Sequence, residues 1–260
     1  MRDAYRVHFA GFQLIRVDIC VRGQMATVDK LAILRDGALR VTGRLVDASN
    51  ATLYATSTFN EEELICIYKP IAGERPLWDF SEGSLAYREY AAYLVSDRIG
   101  FNLVPLTILR DGPYGEGMAQ EWITIDESID LGVFFSTDHP SLRLMALFDA
   151  IVNNTDRKIG HLLPLTKEVV YGCDHGVTFH VEDKLRTVLW QWAEDPFNKQ
   201  EIEILQKAEK LLSGELGALL EPLLTQEEIA ATQHRVSRLI SEGAFPLPNP
   251  NWPAVPWPAF

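Results

Sequence analysis

The sequence lacks the features that mark secreted, disulfide-linked or membrane-spanning proteins. Its three cysteines are odd in number and far apart, so they match neither a disulfide framework nor a zinc site. We expect Cys20, Cys66 and Cys173 to be buried, reduced thiols. No apolar run approaches the roughly 18 residues of a membrane span, and charged residues interrupt the apolar N-terminus. The sequence therefore predicts a cytoplasmic protein without integral membrane contact.

Basic residues are also scarce. The chain has 24 Lys and Arg against 36 Asp and Glu, a formal net charge of −12. Such a charge repels nucleic-acid backbones and anionic membrane surfaces, so we expect no nucleic-acid partner. The remaining composition, with 47% hydrophobic residues among 260, is that of a globular protein with a sizeable core.

The first half of the chain is predicted to be rich in strands. Short alternating or β-branched runs flank Asp36-Gly37, which is a hairpin turn signal, and a strand pair is predicted within residues 48–59. The apolar run 64–69 predicts a strand that ends at Pro70. A helix is predicted from an N-cap at Ser84 to about Ile99, and two strands follow it.

From Pro140 the pattern changes to helix. Residues 140–154 are nearly all apolar, which predicts a buried helix with Pro140 in its first turn. A short strand is predicted at 168–173, and residues 197–241 look helical throughout. We expect four segments: an N-terminal extension (1–33), a β-rich N-lobe with a hinge (34–123), a helical C-lobe (124–243) and a proline-rich extended tail (244–260).

Several polar residues stand at the ends of these elements. Ser49 and Asn50 lie in a turn whose amides and hydroxyls could cradle phosphate, although alone it is a plain hairpin. Lys69 ends an apolar strand, where a snorkelling side chain is the ordinary explanation. Glu89 lies on the next helix and could pair with Lys69, although most helical glutamates are only solvated.

Two later motifs complete the set. The stretch "NNTDRKIGHLL" (153–163) places Asp156, Arg157, Lys158 and His161 between an apolar run and two leucines. The stretch "YGCDHG" (171–176) follows a short strand and contains Asp174. Each motif alone is weak, but their order along the chain is specific.

In this order the residues resemble the catalytic set of protein-kinase-like folds. The pattern is similar to the phosphoinositide 3- and 4-kinase-related group, particularly the type II 4-kinases and their small bacterial relatives. It also resembles an actinobacterial family described as phosphoinositide-kinase-like. The resemblance covers roughly residues 35–240. It implies an α+β, two-lobed fold, with an antiparallel β-rich N-lobe containing one helix and a mainly helical C-lobe.

The resemblance also implies an ATP-dependent phosphotransferase that uses a divalent cation, Mg²⁺ or Mn²⁺. Phosphoryl transfer needs positioning and charge neutralisation more than covalent chemistry. Asp156 would orient or deprotonate the acceptor hydroxyl, Arg157 or Lys158 would offset phosphate charge, and Asp174 would bind the metal. The residues implied to bind ATP are Ser49, Asn50, Lys69, Glu89, Gln120 and Trp122, the last two flanking the adenine site.

One position departs from the family pattern. His161 stands where the family has a metal-binding asparagine, so it could ligate the metal, form only a hydrogen bond, or signal lost activity. The ligand role is slightly favoured because the spacing from Asp156 matches. Asp149 and Asn153 are candidate supporting residues, and helix-end roles explain them equally well.

The acceptor is expected to be a protein Ser/Thr or a soluble small molecule rather than a membrane lipid. The acidic balance disfavours a lipid, and the short 72–83 loop lacks the cysteine-rich membrane-binding insertion of the type II lipid kinases. Two alternatives remain open: a nucleotide-binding pseudokinase with a regulatory role, and an enzyme that transfers AMP on the same fold.

Overall fold

The computed structural model describes residues 7–8, 29–45 and 50–260. The described chain forms two compact units. Unit 1 comprises Met1–Pro76 and Ile108–Trp122, and unit 2 comprises Leu77–Thr107 and Ile123–Phe260. Within the described ranges, no helix has the length and apolarity that a membrane crossing requires.

Unit 1 is built around a six-stranded sheet. Its strands are β1 (Val7–His8), β2 (Ala38–Leu45), β3 (Leu53–Phe59), β4 (Glu62–Pro70), β5 (Thr107–Gly112) and β6 (Gly115–Glu121). Their order in the sheet is β1-β2-β3-β4-β6-β5, and the pairings β1–β2, β2–β3, β3–β4 and β4–β6 are antiparallel. A tight turn at Asn60-Glu61, where both residues have positive φ, joins β3 to β4.

One helix, α1 (Lys30–Asp36), packs in unit 1. The Asp29 side chain caps its first turn by accepting from Ala32 N at 3.1 Å. Ile33 and Leu34 are buried, and the Ser57 hydroxyl donates to Ile33 O at 2.6 Å. The expected hairpin at Asp36-Gly37 is therefore wrong. Gly37 instead ends α1, because the apolar residues at 31, 33 and 34 have helical spacing.

Unit 2 is mainly helical. Its helices are α2 (Leu85–Ile99), α3 (Leu131–Phe134), α4 (Pro140–Val152), α5 (Lys199–Leu212), α6 (Glu215–Leu220) and α7 (Gln226–Glu242). The short strands β7 (Leu162–Pro164) and β8 (Val170–Gly172) form an antiparallel pair, and a 3₁₀ turn (Ile159–His161) precedes β7. The expected continuous helix at 197–241 is broken twice, at Ser213-Gly214 and at 221–225.

The buried helix α4 forms the centre of the unit 2 core. Its residues Leu142, Met145, Leu147 and Phe148 have no exposed surface, and Pro140 occupies its first turn as expected. A helix with apolar residues on nearly all sides must be surrounded by other elements. Helices α2, α5, α6 and α7 contribute apolar side chains to the same core.

Helix α2 matches its sequence prediction but belongs to unit 2. It ends at Ile99, and Gly100 adopts the left-handed conformation of a C-cap (φ 95°). Ala91, Val95 and Ile99 are buried in the unit 2 core. Arg88 forms a buried ion pair with Glu228 on α7 and donates to Thr178 O at 2.7 Å. These contacts attach α2 to the other elements of unit 2.

The described architecture is thus an α+β fold with an antiparallel sheet in its N-terminal part and a helical C-terminal part, as the sequence predicted. The tail after α7 contains no helix or strand; it has turns and bends, and Ala244 forms an isolated bridge with Pro196. Cys66 is buried, as expected, and burial raises the pKa of its thiol to about 12. Cys173 is only partly buried, and Cys20 lies outside the described residues.

Candidate active site

The loop after α4 begins at a residue in the left-handed conformation. Asn153 (φ 51°) ends α4, and its side-chain amide donates to His180 O at 2.9 Å and to Glu182 O at 2.6 Å. The Asn153 side-chain oxygen accepts from Lys184 N at 3.0 Å. Asparagine tolerates this backbone conformation better than most residues. One buried side chain therefore fixes the start of the loop against the segment 180–184.

Arg157 lies entirely inside the protein. Its guanidinium forms a two-bonded ion pair with Asp149 of α4, with Nε–Oδ2 at 3.0 Å and Nη2–Oδ1 at 2.9 Å, and both side chains are fully buried. Nη1 also donates to Cys173 O at 3.0 Å. Fork-shaped pairing of this kind fixes geometry as well as charge. Arg157 thus joins the 153–161 loop, α4 and the turn after β8.

A second chain of contacts runs from Asp149 to Asp156. Asp149 Oδ1 accepts from the Asn154 side-chain amide at 3.0 Å, and the Asn154 side-chain oxygen accepts from Asp156 N at 3.0 Å. Asn154 has no exposed surface. The backbone of Asp156 is therefore held by a buried relay that starts on a rigid helix.

The carboxylate of Asp156 lies between two cations. Lys158 Nζ is 3.4 Å from Oδ2, and Arg186 Nη2 is 3.3 Å from Oδ1. Burial raises the pKa of Asp156, and the negative charge of Asp174 raises it further, while Lys158 and Arg186 lower it. Desolvation is the largest cause, so the net direction is upward. Asp156 is thus a carboxylate with enhanced basicity beside a second carboxylate.

Asp174 stands in the turn after β8, with positive φ (62°). Its side chain is 47% exposed, and its Oδ2 lies 3.3 Å from His161 Nε2. The amide of Lys158 points to His161 Nδ1 at 3.4 Å. An imidazole whose Nδ1 accepts a hydrogen bond carries its proton on Nε2 when neutral. That tautomer donates to Asp174, so the contact orients the Asp174 carboxylate.

Two further contacts hold the turn that carries Asp174. The amide of His175 donates to Glu89 Oε2 on α2 at 2.9 Å. Arg157 Nη2 donates to His175 Nε2 at 2.7 Å, and because a guanidinium can only donate, that ring nitrogen is the acceptor. Glu89 therefore holds the backbone of this turn, and Arg157 holds the His175 side chain.

The candidate residues of unit 1 lie on or next to its sheet. Lys69 on β4 pairs in register with Met118 of β6, where Gly117 lets the strands approach closely. Gln120 is buried and pairs with Ile67. The amide of Trp122 donates to Ile65 O at 3.0 Å, and its ring meets Tyr54 edge-on. Asn50 Oδ1 accepts from Arg75 N at 2.9 Å. Ser49 lies outside the described residues.

Sequence reasoning missed Arg186. This residue pairs with Asp156 and donates through Nε to Thr155 O at 2.6 Å. Its neighbour Thr187 forms a parallel bridge with Arg157. Arg186 follows Asp156 by 30 positions, and no motif between them signals the contact, because tertiary packing alone makes it.

The site offers hard oxygen ligands for a divalent cation. Asp174 presents a half-exposed carboxylate, and its charge interacts with that of Asp156. Carboxylate oxygens are the ligands that Mg²⁺ and Mn²⁺ accept, with remaining positions filled by water or phosphate. Within the described residues no group of three or more His, Cys, Asp or Glu forms a metal cluster. The residues therefore fit a cation held by one or two carboxylates, not a metal cage.

The fold and the site together define an α+β protein whose helical unit carries two carboxylates on adjoining loops over a buried arginine. The chain is 41% identical to Protein Rv2133c of Mycobacterium tuberculosis (strain ATCC 25618 / H37Rv), in an alignment that covers 93% of this chain and 100% of the relative. It belongs to the same family as that protein.

No protein-family model matches the chain. Among solved structures, it is similar to the Helicobacter pylori proinflammatory kinase CtkA with a TM-score of 0.44 and 10% identity. The alignment covers 82% of this chain and 94% of that chain. A likeness of this degree carries no weight for fold or function.

Proposed function

We propose that the chain is an ATP-dependent phosphotransferase of the phosphoinositide-kinase-like type. The observation that carries the proposal is the pair Asp156 and Asp174, placed on adjoining loops by the buried Arg157–Asp149 ion pair. Phosphoryl transfer needs one carboxylate for the acceptor hydroxyl and another for the cation that neutralises the phosphates. The two carboxylates differ in burial, which suits them to these two roles.

Asp156 is assigned to the acceptor. Its raised pKa makes the ionised carboxylate a better proton acceptor, and the Asn154 relay fixes its backbone. Lys158 and Arg186 act against the rise of this pKa, and their contacts hold the orientation of the carboxylate. Arg157 is fully buried, so we assign it a positioning role, whereas Lys158 is partly exposed and is assigned to phosphate charge.

Asp174 is assigned to the divalent cation. When bound, the cation supplies positive charge that offsets the phosphate oxygens. His161 is assigned to orienting Asp174, since its Nδ1 faces the Lys158 amide and its Nε2 faces the carboxylate. A histidine that ligated through Nε2 would need its proton on Nδ1, where that amide points.

The nucleotide-binding assignments of Ser49, Asn50, Lys69, Glu89, Gln120 and Trp122 remain predictions. Glu89 has a second role that its contacts support, because its carboxylate accepts from the His175 amide in the turn of Asp174. The acceptor is assigned to protein Ser/Thr or soluble hydroxyl compounds, and the location to the cytoplasm.

Intact mass spectrometry tests the proposal. The purified chain is incubated with ATP and Mn²⁺ or Mg²⁺, with and without a serine-rich acceptor protein, and both masses are taken. Addition of phosphoryl groups supports phosphotransfer. Addition of AMP with release of pyrophosphate would show nucleotidyl transfer instead. Metal-dependent ATP binding by calorimetry with no transfer to any acceptor would indicate a pseudokinase.

A further inference from the structure

The proline-rich tail after α7 lies against the candidate active site. Its backbone carbonyls accept three hydrogen bonds from other segments of unit 2. Ile159 N donates to Ala259 O at 2.9 Å, Thr187 N to Ala254 O at 3.0 Å, and Trp190 Nε1 to Ala254 O at 2.8 Å. These donors belong to the loop of Asp156 and to the segment that carries Arg186.

The backbone amides of Ile159 and Thr187 connect the tail to the surroundings of Asp156. Lys158 and Arg186 are the two cations that flank the Asp156 carboxylate, and the bonded amides belong to the residues that directly follow them. Arg157 N donates to Arg186 O, and Val188 N donates to Arg157 O. Thr187 therefore points its amide away from this pairing, because successive amides of an extended chain face opposite sides. The tail binds that outer side.

The tail is anchored at its start by Phe245, which is buried in the unit 2 core, and beyond this residue its side-chain contacts are spaced apart. Asn249 Nδ2 donates to Asp183 O at 2.9 Å, and the Trp252 ring lies 5.1 Å from Lys184 Nζ. Leu247, Trp257 and Phe260 are more than half exposed. A segment with sparse apolar burial and no regular secondary structure opens at low free-energy cost.

The composition of the tail also bears on its role. Residues 243–260, "GAFPLPNPNWPAVPWPAF", contain no Ser, Thr or Tyr, and no charged residue. An extended segment without a hydroxyl can occupy an acceptor surface without becoming phosphorylated. Proline holds such a segment extended at low entropic cost.

We propose that the surface formed by Ile159, Thr187 and Trp190 binds an extended polypeptide, and that the tail occupies it as an acceptor-like segment lacking a hydroxyl. A protein acceptor would take the same surface once the tail is released. This role rests on the proposed phosphotransferase function. In the transfer itself, the acceptor oxygen bonds to the γ-phosphorus as the bond to the bridging oxygen of ATP breaks. The hydroxyl proton passes to Asp156, and ADP leaves.

A peptide competition experiment tests the proposal in the full chain. The probe is a fluorescent peptide with the sequence of residues 249–260, in which serine replaces Ala259. In the parent chain the probe competes with a tethered tail whose effective concentration is high. Asn249→Ala removes the bond to Asp183 O from the tail only, since the probe keeps its own asparagine. We expect about a tenfold lower Kd for this variant than for the parent.

Two further variants make the result specific. Trp252→Ala loosens the tail by a different contact and is expected to lower the Kd of the probe in the same direction. Asn251→Ala is the matched control, because its exposed position lies in the same tail and only its backbone amide is bonded. It is expected to bind the probe as the parent does. Equal affinity in all four proteins, or no binding by any of them, would overturn the proposal.

Adding ATP and Mn²⁺ to the bound probe separates this inference from the proposed function. Phosphorylation of the probe serine supports both. Tighter binding by Asn249→Ala without any phosphoryl transfer supports the polypeptide surface and counts against the phosphotransferase assignment.

Discussion

Arg157 and Asp149 form an ion pair with no solvent exposure on either side chain, joined at 2.9 Å between Nη2 and Oδ1. Burial is the largest influence on the pKa of Arg157 and lowers it, but the charge and hydrogen bonds of Asp149, together with Cys173 and Asp174, outweigh burial in sum, so this pKa is raised. The same guanidinium reaches Cys173 O and His175. The pair therefore links the loop of Asp156 to the turn of Asp174.

Arg157→Leu should be strongly destabilising. It leaves the Asp149 carboxylate buried without its partner, and such losses cost about 3–5 kcal/mol. Denaturant unfolding of the purified variant measures the change. Arg98→Leu is the control, because Arg98 is 54% exposed, pairs with Asp97 only at 3.5 Å, and should cost less than about 1 kcal/mol. Equal stability of Arg157→Leu and the parent would refute the structural role.

The activity of the parent should fall as the pH is lowered through the pKa of Asp156. The carboxylate must be ionised to accept a proton, and its pKa is raised above the usual Asp value of about 3.9. Lys158→Met removes a charge that lowers this pKa, so the acidic limb of the rate profile should move to higher pH. Lys210→Met, on the exposed face of α5, should leave the limb in place. If the acidic limb of the Lys158→Met profile lies at the same pH as that of the parent, the group that titrates in the profile is not Asp156.

Asp156→Asn should gain stability while it loses activity. Because the folded pKa is raised, the folded state prefers the protonated carboxyl, and this stabilisation is lost as pH rises through that pKa. A neutral asparagine avoids the loss, so the Tm difference between variant and parent should be positive at pH ~7 and smaller at pH ~3.5. Turnover should fall by roughly 10²–10⁴. A lower Tm than the parent at neutral pH would contradict the raised pKa.

His161→Asn should retain the preference of the parent between Mg²⁺ and Mn²⁺. An asparagine amide can donate to Asp174 as the imidazole does, so the positioning role survives. His161→Leu cannot donate and should weaken metal-dependent ATP binding several-fold. Calorimetric titration with each metal measures both variants. A shift of His161→Asn toward Mg²⁺ would show that the imidazole ligates the metal, since nitrogen ligands favour Mn²⁺.

The sequence predicted elements whose signals are local. Pro140 at the start of α4, Gly100 at the end of α2 and the apolar strand before Pro70 each depend on the conformation of a few neighbouring residues. The prediction for the segment around Asp36-Gly37 is wrong because helical spacing and a turn signal overlap there. Burial of Ile33 and Leu34 stabilises the helix at this position.

In the candidate site, contacts between residues far apart in the sequence were not predicted. The positions of Asp156 and Asp174 follow from motifs, but their partners do not. Arg186 lies 30 residues beyond Asp156, and the tail contact at Ala259 lies 100 residues beyond Ile159. Likewise, Arg157 is one residue from Asp156 in an apparently polar loop, yet it is fully buried. Only packing against α4 determines which side of the loop faces inward.

ADP formation by the full chain tests the central claim most directly. The parent and Asp174→Asn are incubated with ATP, Mn²⁺ and a serine-rich acceptor protein. The nucleotide products are separated by chromatography, with the exposed Asp97→Asn as control. We predict metal-dependent conversion of ATP to ADP by the parent and the control, and loss of this conversion in Asp174→Asn because a hard oxygen ligand is removed. Formation of AMP, or equal ADP formation by Asp174→Asn, would contradict the account.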